Sequence, residues 1–154
     1  MANYESTLIS NEFKTKNNEE VLKILLDLGL EETYITSNEK VSIASYEQSM
    51  DDSMNVIIDK ETEKAVTAYT DYTYENLDPE ILKTLEDENI NKYKEVSIYD
   101  YLKDMLLEGE TIQIKETGNE KLRYNGAYGL VITQKNYQWF NLDDIMEKYA
   151  EENK

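Results

Sequence analysis

Apolar residues recur at helical spacing in four segments, and each segment begins with a residue that favours a helix N-terminus. Val21, Leu25 and Leu28 share one face of the first segment, and Gly29 follows where a C-terminal cap is expected. The third predicted helix ends at Gly109. The four helices are predicted to begin at Asn17 or Asn18, Asp78, Ser97 and Asn141. The last helix is expected to carry an apolar stripe of Leu142, Ile145, Met146 and Tyr149.

Between these helices, apolar and polar residues alternate with the period of a β-strand. The predicted strands cover residues 41–45, 54–58, 65–74, 111–115, 122–124, 129–133 and 137–140. Turns are expected at 59–64, at 117–119 and at the pair Asn125-Gly126, which is typical of tight hairpins. Strands come in runs rather than alternating singly with helices, which predicts an α+β fold of antiparallel β-hairpin or meander sheets with about four helices.

Polarity along the chain suggests how this fold is organised. Residues 1–16 show little periodicity and are predicted to form an N-terminal arm. The polar stretch 89–94 separates a helix plus acidic β-hairpin region (17–94) from a helix, β-meander and terminal helix (95–154). These segments are two small lobes or parts of a single domain at 17–154, since a chain of this length can bury one core.

Composition places the chain among folded acidic proteins. It has 33 acidic and 16 basic residues, for a net charge of −17. Disorder is disfavoured because hydrophobic residues make up 40% of the chain, include 13 tyrosines and fall in periodic segments. No signal peptide or membrane-spanning apolar run is recognised, so a cytoplasmic protein is expected.

The chain lacks the residue types that most catalytic and metal-binding sites require. The chain has no histidine, which excludes Ser-His-Asp triads and His-ligated metals, and no cysteine for a thiolate site. Residues 51–62 resemble a calcium loop, but Val56 and Thr62 replace its glycine and its bidentate glutamate. We therefore predict no catalytic, cofactor-binding or metal-binding residue and expect a protein that is not an enzyme. The alternative is a small acid-rich hydrolase or metal-dependent nuclease that uses the acids near Asp59.

The acidic charge is concentrated in one segment. Residues 47–88 contain thirteen acids and three bases, a net charge of −10. Tyrosines lie among these acids, and tyrosine is common at binding hot spots. By contrast, residues 110–140 carry a net charge of +1 and include Arg123, the sole arginine. The residues predicted to bind a partner are Asp51, Asp52, Asp59, Glu61, Glu63, Asp71, Tyr72, Tyr74, Glu75, Glu86, Asp87 and Glu88.

In overall character, this short, acidic, Tyr- and Asn-rich chain resembles the small anti-CRISPR and anti-restriction proteins of phages and mobile elements. The resemblance rests on composition and includes no shared motif. It implies an inhibitor that binds a basic, nucleic-acid-handling partner, such as a CRISPR effector or restriction nuclease, by DNA-mimic-like electrostatic occlusion. The resemblance also implies that the protein acts in the cytoplasm of a bacterial host. A third hypothesis is a housekeeping interaction domain that is acidic for solubility only, and its expected sign is a large exposed apolar patch.

Overall fold

A computed structural model describes residues 4–46, 48–120 and 124–154, and these residues form four α-helices and nine β-strands. The helices are α1 (Asn18–Asp27), α2 (Pro79–Glu86), α3 (Ile98–Met105) and α4 (Leu142–Glu152). The strands are β1 (Tyr4–Phe13), β2 (Tyr34–Ile35), β3 (Val41–Tyr46), β4 (Asn55–Asp59), β5 (Ala65–Tyr69), β6 (Tyr93–Ser97), β7 (Ile112–Glu120), β8 (Tyr124–Ile132) and β9 (Tyr137–Asn141).

The strands form two antiparallel sheets. The larger sheet has the order β2-β3-β1-β7-β8-β9, and the smaller has the order β5-β4-β6. Each pair of neighbours is antiparallel. The predicted α+β class with antiparallel sheets and four helices is therefore confirmed.

Each helix begins at its predicted cap. The Asn17 side chain accepts a hydrogen bond from the backbone N–H of Glu20 at 3.1 Å, which satisfies one of the donors left free at a helix N-terminus. Asp78, Ser97 and Asn141 cap α2, α3 and α4 in the same way. Gly29 follows α1 with φ of 89°, a left-handed conformation that glycine adopts without steric cost.

The predicted N-terminal arm is wrong over residues 4–13, which form β1 near the middle of the larger sheet. This strand pairs with β3 on one side and β7 on the other. Leu8 and Phe13 are buried, while Ile9 between them faces solvent. The register shifts between Ile9 and Glu12, which interrupts the alternation that the sequence would otherwise show.

The predicted strand at 65–74 ends early, at Tyr69. Thr70 redirects the chain, because its backbone oxygen accepts hydrogen bonds from the N–H groups of Thr73 and Tyr74, and its hydroxyl accepts one from Tyr72. Such local bonds offer the backbone an alternative to a β-ladder. Tyr72 and Tyr74 therefore do not share a strand face, and Tyr74 begins a short 3₁₀ turn.

Three further turn and boundary predictions are corrected. The expected turn at 117–119 lies inside β7, where Gly118 pairs with both β1 and β8. The pair Asn125-Gly126 lies on β8. α3 ends at Met105, and Gly109 lies in the turn that follows, with φ of 83°. Strand β6 was not predicted, because Tyr93 and Lys94 belong to the polar stretch 89–94 and Ser97 was predicted only as a helix cap.

Both sheets and the helices α1 and α3 contribute buried side chains to the core. One cluster of buried apolar side chains includes Leu25 from α1, Leu102 from α3 and Leu130 from β8. The predicted lobes, 17–94 and 95–154, both contribute side chains to this cluster. The predicted boundary between residues 94 and 95 falls inside strand β6. Glu47 and Arg123 lie outside the described residues.

Candidate functional site

Two tyrosines in edge-to-face contact mark the place where acids from three parts of the chain act on the same rings. The rings of Tyr69 and Tyr74 pack edge to face, with centroids 5.0 Å apart. The Tyr69 hydroxyl donates a hydrogen bond of 2.7 Å to the carboxylate of Glu95 on β6. Burial and this carboxylate raise the pKa of Tyr69, with smaller contributions from Tyr74 and Asp71.

A residue of α2, Glu86, also acts on this tyrosine pair, through its effect on the pKa of Tyr74. Its pKa is raised first by burial and then by the negative charges of Glu86 and Glu95. Glu86 is the last residue of α2, and Glu95 lies in the middle of β6. Two predicted residues, Tyr74 and Glu86, thus lie within range of an electrostatic interaction, and Asp71 acts in the same way on the neighbouring Tyr69.

Glu95 was not among the predicted residues, although it makes the central hydrogen bond of this cluster. It directly follows the polar stretch 89–94 that the sequence suggests as a boundary. A strand there would have revealed it, because β4 lies between β5 and β6 and Glu95 pairs with Ile57. Long side chains on one face of a sheet can meet across an intervening strand.

The C-terminal end of α2 supplies three consecutive predicted acids, Glu86, Asp87 and Glu88. They line an open groove of about 580 Å³ together with Pro79 and Leu82. The side chain of Asp87 accepts a hydrogen bond from the N–H of Asn89 at 2.9 Å and so holds the chain after the helix. Glu86 and Glu88 are exposed.

Asp51 and Asp52 lie on the loop that leads into β4. Their negative charges help to raise the pKa of Tyr99, after the larger effect of burial. Asp51 also holds its own loop, because one carboxylate oxygen accepts bonds from the N–H and the hydroxyl of Ser53. β4 begins at Asn55, which pairs with Tyr69. The Asp51–Asp52 loop and the turn with Asp71 therefore leave the smaller sheet at the same end.

The predicted acids Asp59, Glu61 and Glu63 lie at the other end of this sheet, where Asp59 ends β4 and the other two lie in the turn to β5. A strand of five residues is roughly 13 to 16 Å long, so this turn is well separated from Asp71. One carboxylate oxygen of Asp59 accepts bonds from the N–H groups of Glu61 and Thr62. Asp59 thus organises a turn, whereas the nuclease alternative requires its carboxylate for metal binding. The described residues contain no group of three or more Asp or Glu side chains placed to hold a metal ion.

The candidate acids share a lack of neutralising partners. Three side-chain ion pairs occur among the described residues, and they join Lys23 to Asp27, Lys103 to Asp100 and Lys154 to Glu151. None involves an acid of residues 48–88, although Lys60, Lys64 and Lys83 lie in the same segment. Eight of the ten predicted acids are exposed, and Asp59 and Asp87 are half-buried. Tyr72, the tyrosine next to Asp71 in the chain, is 93% exposed.

Apolar side chains are exposed on α4, at the other end of the chain. Its predicted stripe forms, yet Met146 and Tyr149 are 60% and 69% exposed, and Leu142 and Ile145 are about half exposed. The housekeeping hypothesis expects a large exposed apolar patch in place of an acidic surface, whereas these exposed apolar residues occur together with the unneutralised acids. No described helix is long and apolar enough to cross a membrane.

Comparisons with known proteins provide no relative: no family model, no curated protein and no solved structure matches this chain.

Proposed function

We propose that the protein is a non-enzymatic interaction protein that binds a basic, nucleic-acid-handling partner through the acids of residues 48–88. The observation that carries this proposal is the absence of ion pairs for these acids in the described residues, combined with their exposure. A folded protein gains nothing in stability from a net charge of −17, because like charges repel.

The proposed mechanism is occupation of a site built for nucleic acid. A cleft that binds DNA presents Lys and Arg to phosphates, and binding there releases condensed counterions. Carboxylates on a folded surface can take the place of those phosphates, and arginine pairs with carboxylates through two parallel hydrogen bonds. CRISPR effectors and restriction nucleases are partners of this kind.

Two features support a contact surface at the Tyr69–Tyr74 cluster and the end of α2. Acids from the turn after β5, from α2 and from β6 act on the same two tyrosines. Tyr72, two residues before Tyr74 in the chain, offers a large, nearly fully exposed ring. An exposed tyrosine contributes contact area at low entropic cost when it is buried against a partner.

The first experiment is an affinity pull-down from a nuclease-treated bacterial lysate at low and at high salt. It compares the wild type with Asp52→Lys/Glu86→Lys/Glu88→Lys, whose three acids make no side-chain hydrogen bond with the described residues. Asp51 and Asp87 are left unchanged because they hold turns. The matched control is Glu31→Lys/Glu32→Lys/Glu108→Lys, which changes the net charge equally at exposed positions outside the segment.

The expected result is one dominant nucleic-acid-binding protein that is retained by the wild type and the control and lost with the first variant. The purified partner should also be displaced by DNA, with the affinity falling steeply as salt rises. Equal retention by both triple variants, or a partner that binds DNA and this protein together, would contradict the proposal.

A further inference from the structure

Helix α4 and the outer face of the larger sheet form a second surface, built from residues other than the acids of residues 48–88. Strands β7 and β8 bury Ile114, Leu130 and Ile132 on the core side. Because side chains alternate along a strand, Gly129 and its pairing partner Phe140 on β9 face outward. α4 packs on this outer face and covers only part of it.

A pocket lies between α4 and the sheet, with a volume of about 280 Å³. Ala127, Gly129 and Phe140 line it from the sheet, and Leu142 and Ile145 line it from α4. The surface that it presents is almost entirely apolar, although Lys115, Glu116 and Thr117 of β7 also line it. An apolar cavity of about 150 Å³ is large enough for a benzene ring, so this pocket can hold one aromatic or branched aliphatic side chain.

The apolar stripe of α4 continues from this pocket into solvent. It runs from Leu142 to Tyr149, a length of roughly 10 Å or two helical turns. Met146 and Tyr149 are the most exposed apolar residues of the helix. A stripe of this length and spacing matches the side-chain spacing of a second helix laid beside it.

Acids accompany this stripe along its whole length. α4 contains Asp143, Asp144, Glu147, Glu151 and Glu152 against a single lysine, Lys148. Only Glu151 has an ion pair in the described part of the chain, with Lys154. A second copy of the chain would bring these acids against their own equivalents across a two-fold axis, and like charges in contact are costly. The charge instead suits a partner that carries Lys or Arg.

We propose that the groove between α4 and the sheet binds a basic amphipathic helix of a partner protein. One apolar side chain of that helix fills the pocket beside Gly129, and its other apolar residues cover Met146 and Tyr149. Its basic residues face Asp143 and Glu147. This proposal does not depend on the partner of the acids at 48–88, because it involves different residues.

The probe is a synthetic 18-residue peptide of leucine and lysine in an amphipathic helical pattern, with binding followed by fluorescence anisotropy. Two control peptides are a scrambled sequence of the same composition and a version with glutamate in place of lysine. The wild-type protein should bind the first peptide at least tenfold more tightly than either control.

Gly129→Val places a side chain in the pocket that Gly129 lines. The backbone should tolerate it, because a Cβ there meets its nearest neighbours, Ile114 O and Phe140 Cβ, at ordinary contact distances of 3.8 and 3.9 Å. Met146→Ser/Tyr149→Ser removes exposed apolar groups and leaves the core intact. The matched control Tyr34→Ser/Tyr46→Ser removes two rings of similar exposure elsewhere on the molecule. Each of the first two variants should weaken peptide binding at least tenfold, and the control should bind as the wild type does.

The charge of the groove is tested by Glu147→Lys, set against Glu61→Lys/Glu63→Lys in the β4–β5 turn. Loss of binding with the turn variant but not with Glu147→Lys would place the peptide on the acids of residues 48–88 and overturn the groove. So would equal binding of the scrambled peptide. Sedimentation showing a dimer that Met146→Ser/Tyr149→Ser dissociates would mean that a second copy covers the groove, and would equally overturn it.

Discussion

Tyr101, like Tyr99, carries a buried hydroxyl without a hydrogen-bond partner among the described residues. It lies on α3 with 3% of its surface exposed. A buried hydroxyl without a partner loses its bonds to water and gains none in return. The ring nevertheless belongs to the core cluster, so its apolar part stabilises the fold.

Tyr101→Phe should therefore leave the free energy of unfolding at pH 7 unchanged, or raise it by up to about 1 kcal/mol. Urea denaturation monitored by circular dichroism measures this change. Tyr101→Ala, which also removes the ring, should lower stability by about 3 to 5 kcal/mol and serves as the control. A loss of more than about 1 kcal/mol for the phenylalanine variant would show that the hydroxyl is well bonded.

Because of Tyr101, the stability of the protein is expected to depend on pH in the alkaline range. Burial raises the pKa of Tyr101, and the negative charge of Glu20 adds to this effect. Above a pH of about 10 the unfolded chain releases this proton while the folded chain retains it, so stability is kept below that pH and lost as the pH rises further. Between pH 9 and 11.5, the free energy of unfolding should fall less steeply for Tyr101→Phe than for the wild type. Parallel curves would contradict the shift.

Among the elements, α2 is predicted to be less stable than α1. It buries none of its side chains, whereas α1 buries Val21, Ile24 and Leu25. Helices of eight residues depend on caps and packing because their intrinsic stability is low. The Asp78 cap and Pro79 at the first helical position are therefore the main local contributions to α2.

Hydrogen exchange should detect this difference. Amides of α2 should exchange through local opening well before those of α1. Asp78→Ala should speed exchange in α2 about fivefold, corresponding to about 1 kcal/mol, without changing exchange in α1. Asp78→Asn retains the capping oxygen and should behave as the wild type does. Equal protection of α1 and α2 would mean that α2 is held by contacts beyond its cap.

The elements that the sequence predicted are those fixed by neighbours a few residues away. Helix caps depend on a side chain and a backbone N–H two or three positions apart, and all four were found. Strand β1 depends instead on pairing with β7, more than a hundred residues later, so its own residues carry little signal. The end of β5 was missed because the hydrogen bonds of Thr70 outweighed an alternation that continued through Tyr74.

The candidate site likewise has features that local sequence predicts and features that depend on distant parts of the chain. Acidity and exposure of residues 48–88 could be predicted from composition alone, since charged side chains rarely lie inside a fold. The approach of Glu86 and Glu95 to Tyr74 could not, because it requires α2 and β6 to meet in three dimensions. The exposure of the α4 stripe was also unpredictable, since the same spacing normally indicates a helix face buried in the core.

At the scale of the whole molecule, net charge should limit stability. The chain carries −17 in total, and its described residues make three ion pairs that salt could weaken. Salt screens the repulsion among the unpaired acids, and surface ion pairs contribute little to stability in any case. Raising sodium chloride from 0.02 to 0.5 M should therefore stabilise the protein by about 1 kcal/mol, roughly 3 °C in Tm for a domain of this size.

A charge-reduced variant separates this effect from the general action of salt on apolar burial. Glu61→Lys/Glu63→Lys/Glu88→Lys changes the net charge from −17 to −11 at exposed positions that make no side-chain hydrogen bonds with the described residues. Thermal unfolding should show a higher Tm than the wild type at 0.02 M salt and a smaller gain up to 0.5 M. If both proteins gain equally, repulsion among these acids does not limit stability. If the gain shrinks as expected, the acids are kept at a cost to the fold, which is what a surface selected for binding a basic partner requires.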